Sequence, residues 1–170
     1  MIDLNDPPYI TELTNTPSSV CDQPAQSFHF NWKYNDPEAD TQSQFDFQVD
    51  ERVNGVCSFA SPAVNRTQAG LNYPDGNTNS QAVSLATSKL LDYLTYNKTY
   101  CWRVRVYDAH GLASAWVNGA SFHTSIHHYP LVSFTWTPNT PNVNETTQFT
   151  DTSKCWDEDA VNGADCSATT

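Results

Sequence analysis

Aromatic and β-branched residues alternate with polar ones in several short segments of the chain. The clearest is TYCWRVRVYD, residues 99–108, where Tyr100, Trp102, Val104 and Val106 occupy every second position. Alternate side chains of a strand point to opposite faces, so the pattern predicts a strand with these four residues in the core. Similar segments predict five further strands, over residues 9–13, 28–34, 44–51, 82–86 and 120–125.

Turn-forming residues separate these segments. Asn54 and Gly55 stand between Val53 and Val56, which predicts a two-residue type I′ turn because both central residues tolerate a positive φ. The leucines of residues 87–94 would suit a single helical turn, and we expect no longer helix. Short strands at this spacing predict an all-β fold, an antiparallel β-sandwich.

Two stretches resemble a known family. Leu94, Tyr100 and the following WRVRVYDAHGLASAW resemble the corner, strand and turn of a fibronectin type III module, and WKYNDPEADTQSQFDFQVD resembles its bacterial form. The resemblance covers about residues 8–125 and implies an immunoglobulin-like sandwich with Trp32 and Leu94 in the core and the Tyr100 hydroxyl bound to backbone. Two long connections depart from the family pattern, residues 15–26 and 65–81.

A second region follows. Residues 131–153 resemble the first two strands of a PKD-type module, another β-sandwich of surface proteins. The sequence therefore predicts a first module at 1–125, a linker at 126–130 and the N-terminal part of a PKD-like module at 131–170. Because a two-stranded hairpin is marginal in water, we expect further sequence, the first module or another copy of the chain to cover its aromatic residues, Phe134, Trp136 and Phe149.

Composition and charge narrow the class of protein. The chain has 8 Lys and Arg against 19 Asp and Glu, a formal net charge of -11 that opposes binding to nucleic acid. No apolar run is long enough to predict a membrane span in this chain. Five cysteines without a CxxC pair favour an oxidising compartment, so we expect an extracellular or cell-surface protein.

The cysteines suggest cross-links. Cys155 and Cys166 bracket a polar, acidic loop, and we predict a disulfide between them that contributes roughly 3 kcal/mol. In the predicted sandwich Cys21, Cys57 and Cys101 share one pole. If Cys57 and Cys101 lay two strands apart, their Cα atoms would be about 9.6 Å apart, too far for a disulfide. Cys21 is then the expected common member, with its partner left open.

The loop YNDPEADTQSQ contains a candidate calcium site. Asp36, Glu38 and Asp40 could direct carboxylate oxygens at one ion, but the loop lacks the glycine and terminal glutamate of an EF-hand. A solvated turn without any cofactor is the favoured interpretation. A second acidic group, with the same two interpretations, comprises Asp157, Glu158, Asp159 and Asp165.

Histidines offer little chemistry in this sequence. His123, His127 and His128 lie close together and could hold zinc, but the strand pattern points His123 to solvent and places the other two in the linker. No serine or cysteine lies in a recognisable nucleophile motif. We therefore expect no enzymatic activity from this chain.

Arg103 and Arg105 alternate with the predicted core residues and so face outward. They could form a basic stripe that receives a carboxylate or stacks on a sugar. Cross-strand pairing with Asp46, Gln48 or Asp50 is the favoured interpretation, because that strand presents these side chains on the same face.

The leading functional hypothesis is a non-catalytic structural or adhesive module of a larger secreted or cell-surface protein. Its partners would be neighbouring modules of the same polypeptide or other copies of the chain, as in a polymeric surface assembly. The first alternative is a polysaccharide-binding accessory module of a secreted enzyme, and the second is a fragment of an enzyme whose catalytic part lies elsewhere. Candidate glycan-stacking residues are Tyr73, Tyr93, Tyr96 and Trp116.

Overall fold

A computed structural model describes residues 5–17, 27–86, 88–125, 131–155 and 164–165. Every regular element within these ranges is a β-strand. The described residues contain no helix that could span a membrane. The strands of the first module are β1 (Tyr9–Pro17), β2 (Ser27–Asn35), β3 (Gln42–Glu51), β4 (Val64–Tyr73), β5 (Thr78–Ala86), β6 (Leu94–Thr95), β7 (Thr99–Asp108), β8 (Val117–Asn118) and β9 (Phe122–His123).

These strands form two sheets. One has the order β1-β2-β5-β6, in which only the short β5–β6 pair is parallel. The other has the order β4-β3-β7-β8, and β9 also pairs with β7. Each long central strand turns one apolar face inward, and the apolar faces of the two sheets form a single core. The predicted all-β, antiparallel sandwich is confirmed.

Aromatic rings fill the space between the sheets. The Trp102 ring lies 5.2 Å from that of Phe30, and the Trp32 ring lies 5.0 Å from that of Phe45. The period-two alternation of β2 and β7 produces this arrangement, because it directs every second large side chain inward. The six residues expected in the core are each no more than 2% exposed: Trp32, Leu94, Tyr100, Trp102, Val104 and Val106.

A buried tyrosine fixes the corner between β6 and β7. The backbone N–H of Thr95 donates to the Tyr100 hydroxyl at 2.9 Å, while the Thr95 side-chain oxygen lies 3.0 Å from the same hydroxyl. Leu94 is fully buried beside this corner. The hydroxyl thus has the backbone partner that the resemblance implied.

The connection expected over residues 65–81 is wrong, and residues 15–17 of the one expected over 15–26 belong to β1. Residues 64–73 form β4, which pairs antiparallel with β3, and residues 78–81 belong to β5. β4 lies at a sheet edge and most of its side chains are exposed, so it carries no alternating apolar pattern. Backbone pairing with β3 stabilises this edge strand, and local sequence gives no signal of such pairing.

The predicted turn at Asn54 and Gly55 is confirmed. The two residues have φ values of 50° and 81°, and the backbone N–H groups of Val53 and Val56 each donate to the other's carbonyl at 3.0 Å. Residues 57–63 then cross as a loop before β4 begins. Residues 90–93 form a turn, closed by a hydrogen bond from the Tyr93 N–H to the Leu90 carbonyl. No helix occurs within residues 88–94, the described part of the segment that could have formed a helical turn.

A disulfide joins Cys57 to Cys101, with Cα atoms 6.2 Å apart. The expected separation of two strands is therefore wrong. Cys57 lies in the loop after the turn, near Asp50, with its sulfur 3.7 Å from the Asp50 carbonyl oxygen. Asp50 is itself the register partner of Cys101 on the adjacent strand, and this places the two cysteines together. The expectation that Cys21 pairs with one of them is wrong as well, because Cys57 and Cys101 are bonded to each other. Cys21 itself lies outside the described residues.

The second region contains two short hairpins. β10 (Phe134–Thr137) pairs with β11 (Gln148–Asp151), as the two predicted strands require, and β12 (Lys154–Cys155) pairs with β13 (Ala164–Asp165). Three aromatic side chains lie on one face of β10–β11 and are 45–65% exposed: Phe134, Trp136 and Phe149. The predicted linker, residues 126–130, lies outside the described residues. The boundaries of the two modules therefore stay a prediction.

The Cys155–Cys166 cross-link also stays a prediction, since Cys166 lies outside the described residues. Cys155 is disulfide-bonded, and it is the register partner of Ala164, two residues before Cys166. We expect peptide mapping without reductant to yield one fragment that joins Cys155 to Cys166. A fragment that joins Cys155 to Cys21 would contradict the prediction.

Candidate functional site

The outer face of the second sheet carries a stack of arginine and aromatic side chains. The Arg103 guanidinium lies 4.1 Å from the Phe59 ring centroid and 4.4 Å from that of Trp116. The Arg105 guanidinium lies 4.8 Å from Trp116 and 5.2 Å from Tyr107. These are cation–π distances, so the two cations and three rings hold one another in place.

Both arginines also pair across the strands. Arg105 forms an ion pair with Asp46 at 2.7 Å, and Arg103 Nε donates to Gln48 Oε1 at 2.8 Å. Asp50 instead accepts a hydrogen bond from the backbone N–H of Phe59 at 2.7 Å, which orders the loop that holds Phe59. The predicted cross-strand pairing is confirmed, and the arginines do not form an open basic stripe.

Asp46 is the centre of this network. Besides Arg105, it accepts hydrogen bonds from the hydroxyls of Thr67 at 2.7 Å and Tyr107 at 2.8 Å. Burial by itself would raise the pKa of Asp46, but the hydrogen bonds from Arg105, Thr67 and Tyr107 outweigh burial and hold that pKa below its usual value. The ionised carboxylate is therefore a stabilising part of the fold.

Replacing Asp46 by asparagine is expected to remove an acid-sensitive part of the stability. Because the folded pKa is depressed, the contribution is present above the unfolded pKa of about 3.9 and is lost as pH falls through the folded value. At neutral pH, Asp46→Asn should cost about 1–3 kcal/mol. Urea unfolding at a series of pH values should show the difference from wild type narrowing below pH ~4.

Asp92 provides a matched control for this experiment. It pairs with Arg66 at 2.7 Å, but its side chain is 47% exposed, so solvent screens the pair. Asp92→Asn should therefore cost less than Asp46→Asn at neutral pH. Parallel pH profiles for Asp46→Asn and wild type would contradict the role assigned to Asp46.

The proposed calcium ligands lie in the β2–β3 loop. Asp36 is buried, and its Oδ1 accepts the backbone N–H groups of Glu38 and Asp40, each at 3.0 Å. The Tyr34 hydroxyl donates to Asp36 Oδ2 at 3.3 Å, and burial, together with the nearby carboxylates, raises the pKa of Tyr34 above its usual value. Asp36 thus caps its own loop through hydrogen bonds to the backbone. Calcium binding by Asp36, Glu38 and Asp40 stays an untested alternative.

A second group at the same pole was not expected from the sequence. Asp40, Asp108 and His110 place one potential ligand atom each within 4.8 Å of one another. Asp108 is fully buried and accepts the backbone N–H groups of His110 and Leu112, while His110 Nδ1 lies 3.0 Å from Asp40. These internal contacts account for the group as a cap on the turn after β7. The DAHG turn was the sequence signal for it.

The other candidate metal ligands do not form a described site. His123 is exposed, as its strand position predicted, and its two ring nitrogens lie 3.0 Å from Thr99 Oγ1 and 3.3 Å from Asn97 Oδ1. Thr99 is its register partner, so strand pairing explains the contact. His127 and His128 lie outside the described residues, as do Asp157, Glu158 and Asp159, and only the backbone of Asp165 is described.

The four candidate glycan-stacking residues do not share one surface. Tyr73 is 38% exposed and pairs with Gln42 at the start of β3. Tyr93 is 42% exposed and lines a cleft of about 220 Å³ beside Tyr100, which pairs with Glu51 at the opposite end of β3. Tyr96 packs against the core, and Trp116 belongs to the arginine stack.

The two-sheet architecture defines an immunoglobulin-like β-sandwich, a class of domain that is generally non-catalytic and sits within larger proteins. A family model described as the Rha78A-like, N-terminal immunoglobulin domain matches residues 22–128. The chain belongs to this family. The fibronectin type III assignment within the class stays a prediction.

A solved structure is also similar to this chain: the PKD domain of an M14-like peptidase from Thermoplasmatales archaeon SCGC AB-540-F20. The identity is 14%, the TM-score is 0.41, and the alignment covers 72% of this chain and 99% of that one. A likeness this weak supports no inference about function. No curated protein matches the chain.

Proposed function

We propose that this chain is a non-catalytic structural or adhesive module of a larger secreted or cell-surface protein. The observation that supports it most is the internal use of the polar side chains. Asp36, Asp46 and Asp108 each accept several hydrogen bonds from their own module. The polar groups maintain a scaffold, and the role requires no cofactor.

The disulfide supports an extracellular location. The Cys57–Cys101 bond links two segments that are 44 residues apart in the sequence, and such bonds persist in oxidising compartments. Fractionation of cells that naturally produce the protein tests this part of the proposal, with thiols alkylated at lysis. We expect an oxidised pair in the secreted or surface fraction. Reduced cysteines in the cytosolic fraction would overturn it.

The aromatic face of β10–β11 supports a role in assembly. The Phe134 ring lies 6.0 Å from Trp136 and 5.9 Å from Phe149, while the opposite face carries threonine and glutamine side chains. An exposed apolar face on a two-stranded hairpin is not stable by itself in water. Contact with a neighbouring module or another copy of the chain would bury it.

Replacing the three aromatics by threonine is expected to abolish self-association of the 170-residue chain without unfolding the sandwich. The side chains are 45–65% exposed, so their removal costs the first module little. Analytical ultracentrifugation measures association, and apolar dye binding measures the exposed surface. A wild-type chain that stays monomeric and binds no dye would contradict a role for this face in assembly.

The second candidate function is a polysaccharide-binding accessory module. The observation that favours it is a polar cleft beside Tyr73, lined with amide and hydroxyl side chains. A cleft of this composition suits a ligand rich in hydroxyl groups.

A further inference from the structure

A cleft opens where the chain passes from one sheet to the other. β4 belongs to the second sheet and β5 to the first, and a tight turn at residues 74–77 joins them. The two strands diverge from this turn because they pair with partners in different sheets. The space between them, which we name the Tyr73 cleft, has a volume of about 320 Å³ and reaches the buried ring of Phe45.

The lining of the Tyr73 cleft is polar and uncharged. The residues that line it are Phe45, Gln68, Tyr73, Asn77, Thr78, Asn79 and Ser80, and their polar side chains are all amides or hydroxyls. Among the described residues, no charged side chain lines the cleft. The formal net charge of -11 further opposes an anionic ligand. A neutral ligand with many hydroxyl groups therefore fits this surface best.

One buried acceptor beside the cleft has no partner. Asn79 is 4% exposed, its Nδ2 donates to Gln42 Oε1 at 2.8 Å, and its Oδ1 makes no hydrogen bond. A buried oxygen without a donor costs about 1–3 kcal/mol. Its register partner Trp32 carries a second unpaired buried atom, Nε1, so both groups belong to the core and a ligand in the cleft does not reach this oxygen. Within the described part of the chain, the side chains of Gln68, Thr78 and Ser80 also make no hydrogen bonds, and they remain available to a ligand.

We propose that the Tyr73 cleft binds an uncharged saccharide. The Tyr73 ring, 38% exposed, offers a flat apolar surface for the C–H face of a sugar, and the amides and hydroxyls offer donors and acceptors for its hydroxyl groups. The volume lies at the lower end of the range for ligand sites, about 300–1,000 Å³, and so suits one sugar residue or a chain end. This inference rests on the second candidate function, polysaccharide binding, and does not depend on the structural role.

Titration of the ¹⁵N-labelled 170-residue chain with neutral oligosaccharides tests the proposal. The probes are the tetrasaccharides of glucose, mannose, xylose and N-acetylglucosamine, each at millimolar concentration. With at least one probe, the side-chain amide signals of Asn79 and Gln68 should shift. Gln68→Ala should weaken binding roughly 2- to 10-fold, the equivalent of one hydrogen bond, and Tyr73→Ala should abolish the shifts.

Tyr93→Ala is the matched control, because Tyr93 is similarly exposed but lines a different cleft. It should bind the probe with wild-type affinity. Gln68 and Tyr73 are both exposed, and the dispersion of the amide spectrum verifies that each variant is folded. The proposal is overturned if no probe shifts the two amides, which would mean that water alone fills the cleft, or if Tyr73→Ala binds as well as wild type.

Discussion

Trp102→Ala is expected to leave the first module largely unfolded at room temperature. Trp102 is fully buried, its ring contacts those of Phe30 and Phe47, and its Nε1 donates to Asn15 Oδ1 at 3.1 Å. The substitution removes this packing and leaves a large cavity, at a cost of about 3–5 kcal/mol. That loss is comparable to the whole stability of a marginal domain. Circular dichroism during urea and thermal unfolding measures the effect.

Trp116→Ala provides the control for the loss of a tryptophan. Trp116 is half-buried on the outer face and contacts Arg103 and Arg105, so its removal should cost much less than that of Trp102. Gly119→Ala should act on the same core contact, because a Cβ at position 119 would overlap the Trp102 ring. A melting temperature of Trp102→Ala close to wild type would refute the core assignment.

Loss of the Cys57–Cys101 disulfide is expected to cost about 4 kcal/mol. The bond closes a loop with a sequence separation of 44, and the chain-entropy account gives this magnitude for a loop of that length. The bond also ties the loop that carries Phe59 to β7, so its removal should loosen one end of the arginine stack. The double variant Cys57→Ala/Cys101→Ala in equilibrium urea unfolding measures the change in free energy.

Reductant serves as the internal control for this measurement. Wild type in reductant should lose stability in the first module to the level of the double variant, while the double variant should show no further loss there. If the double variant and the reduced wild type each lost less than about 1 kcal/mol, the packing of the loop after the Asn54–Gly55 turn, and not the cross-link, would set the stability of that part of the module.

Strands with one buried face could be predicted from sequence, and strands at an edge could not. β2 and β7 bury every second residue, so their aromatic and aliphatic positions reveal the strand and its inward face. β4 exposes most of its residues and forms because β3 offers backbone partners. The same limit applies to β8, because a strand of two residues is too short to show an alternating pattern.

The candidate sites follow the same division. Alternation alone predicted the outward position of Arg103 and Arg105 and the polar side chains of the strand that faces them, Asp46 and Gln48. Phe59 was not expected beside Arg103, because the loop that holds it is placed by Asp50 and by the disulfide. The Tyr73 cleft was likewise unpredictable, since it forms between two strands that enter different sheets.

The sequence by itself determined the all-β class, the inward faces of the long strands and the Asn54–Gly55 turn, because each depends on neighbours within a few residues. The corner at Tyr100 was implied by the family resemblance. Only the tertiary structure decided which cysteines are bonded, which polar groups cap loops and where a cleft opens. These features depend on distances between segments far apart in the chain. Such distances are set by how the two sheets pair and pack, and no local pattern encodes them.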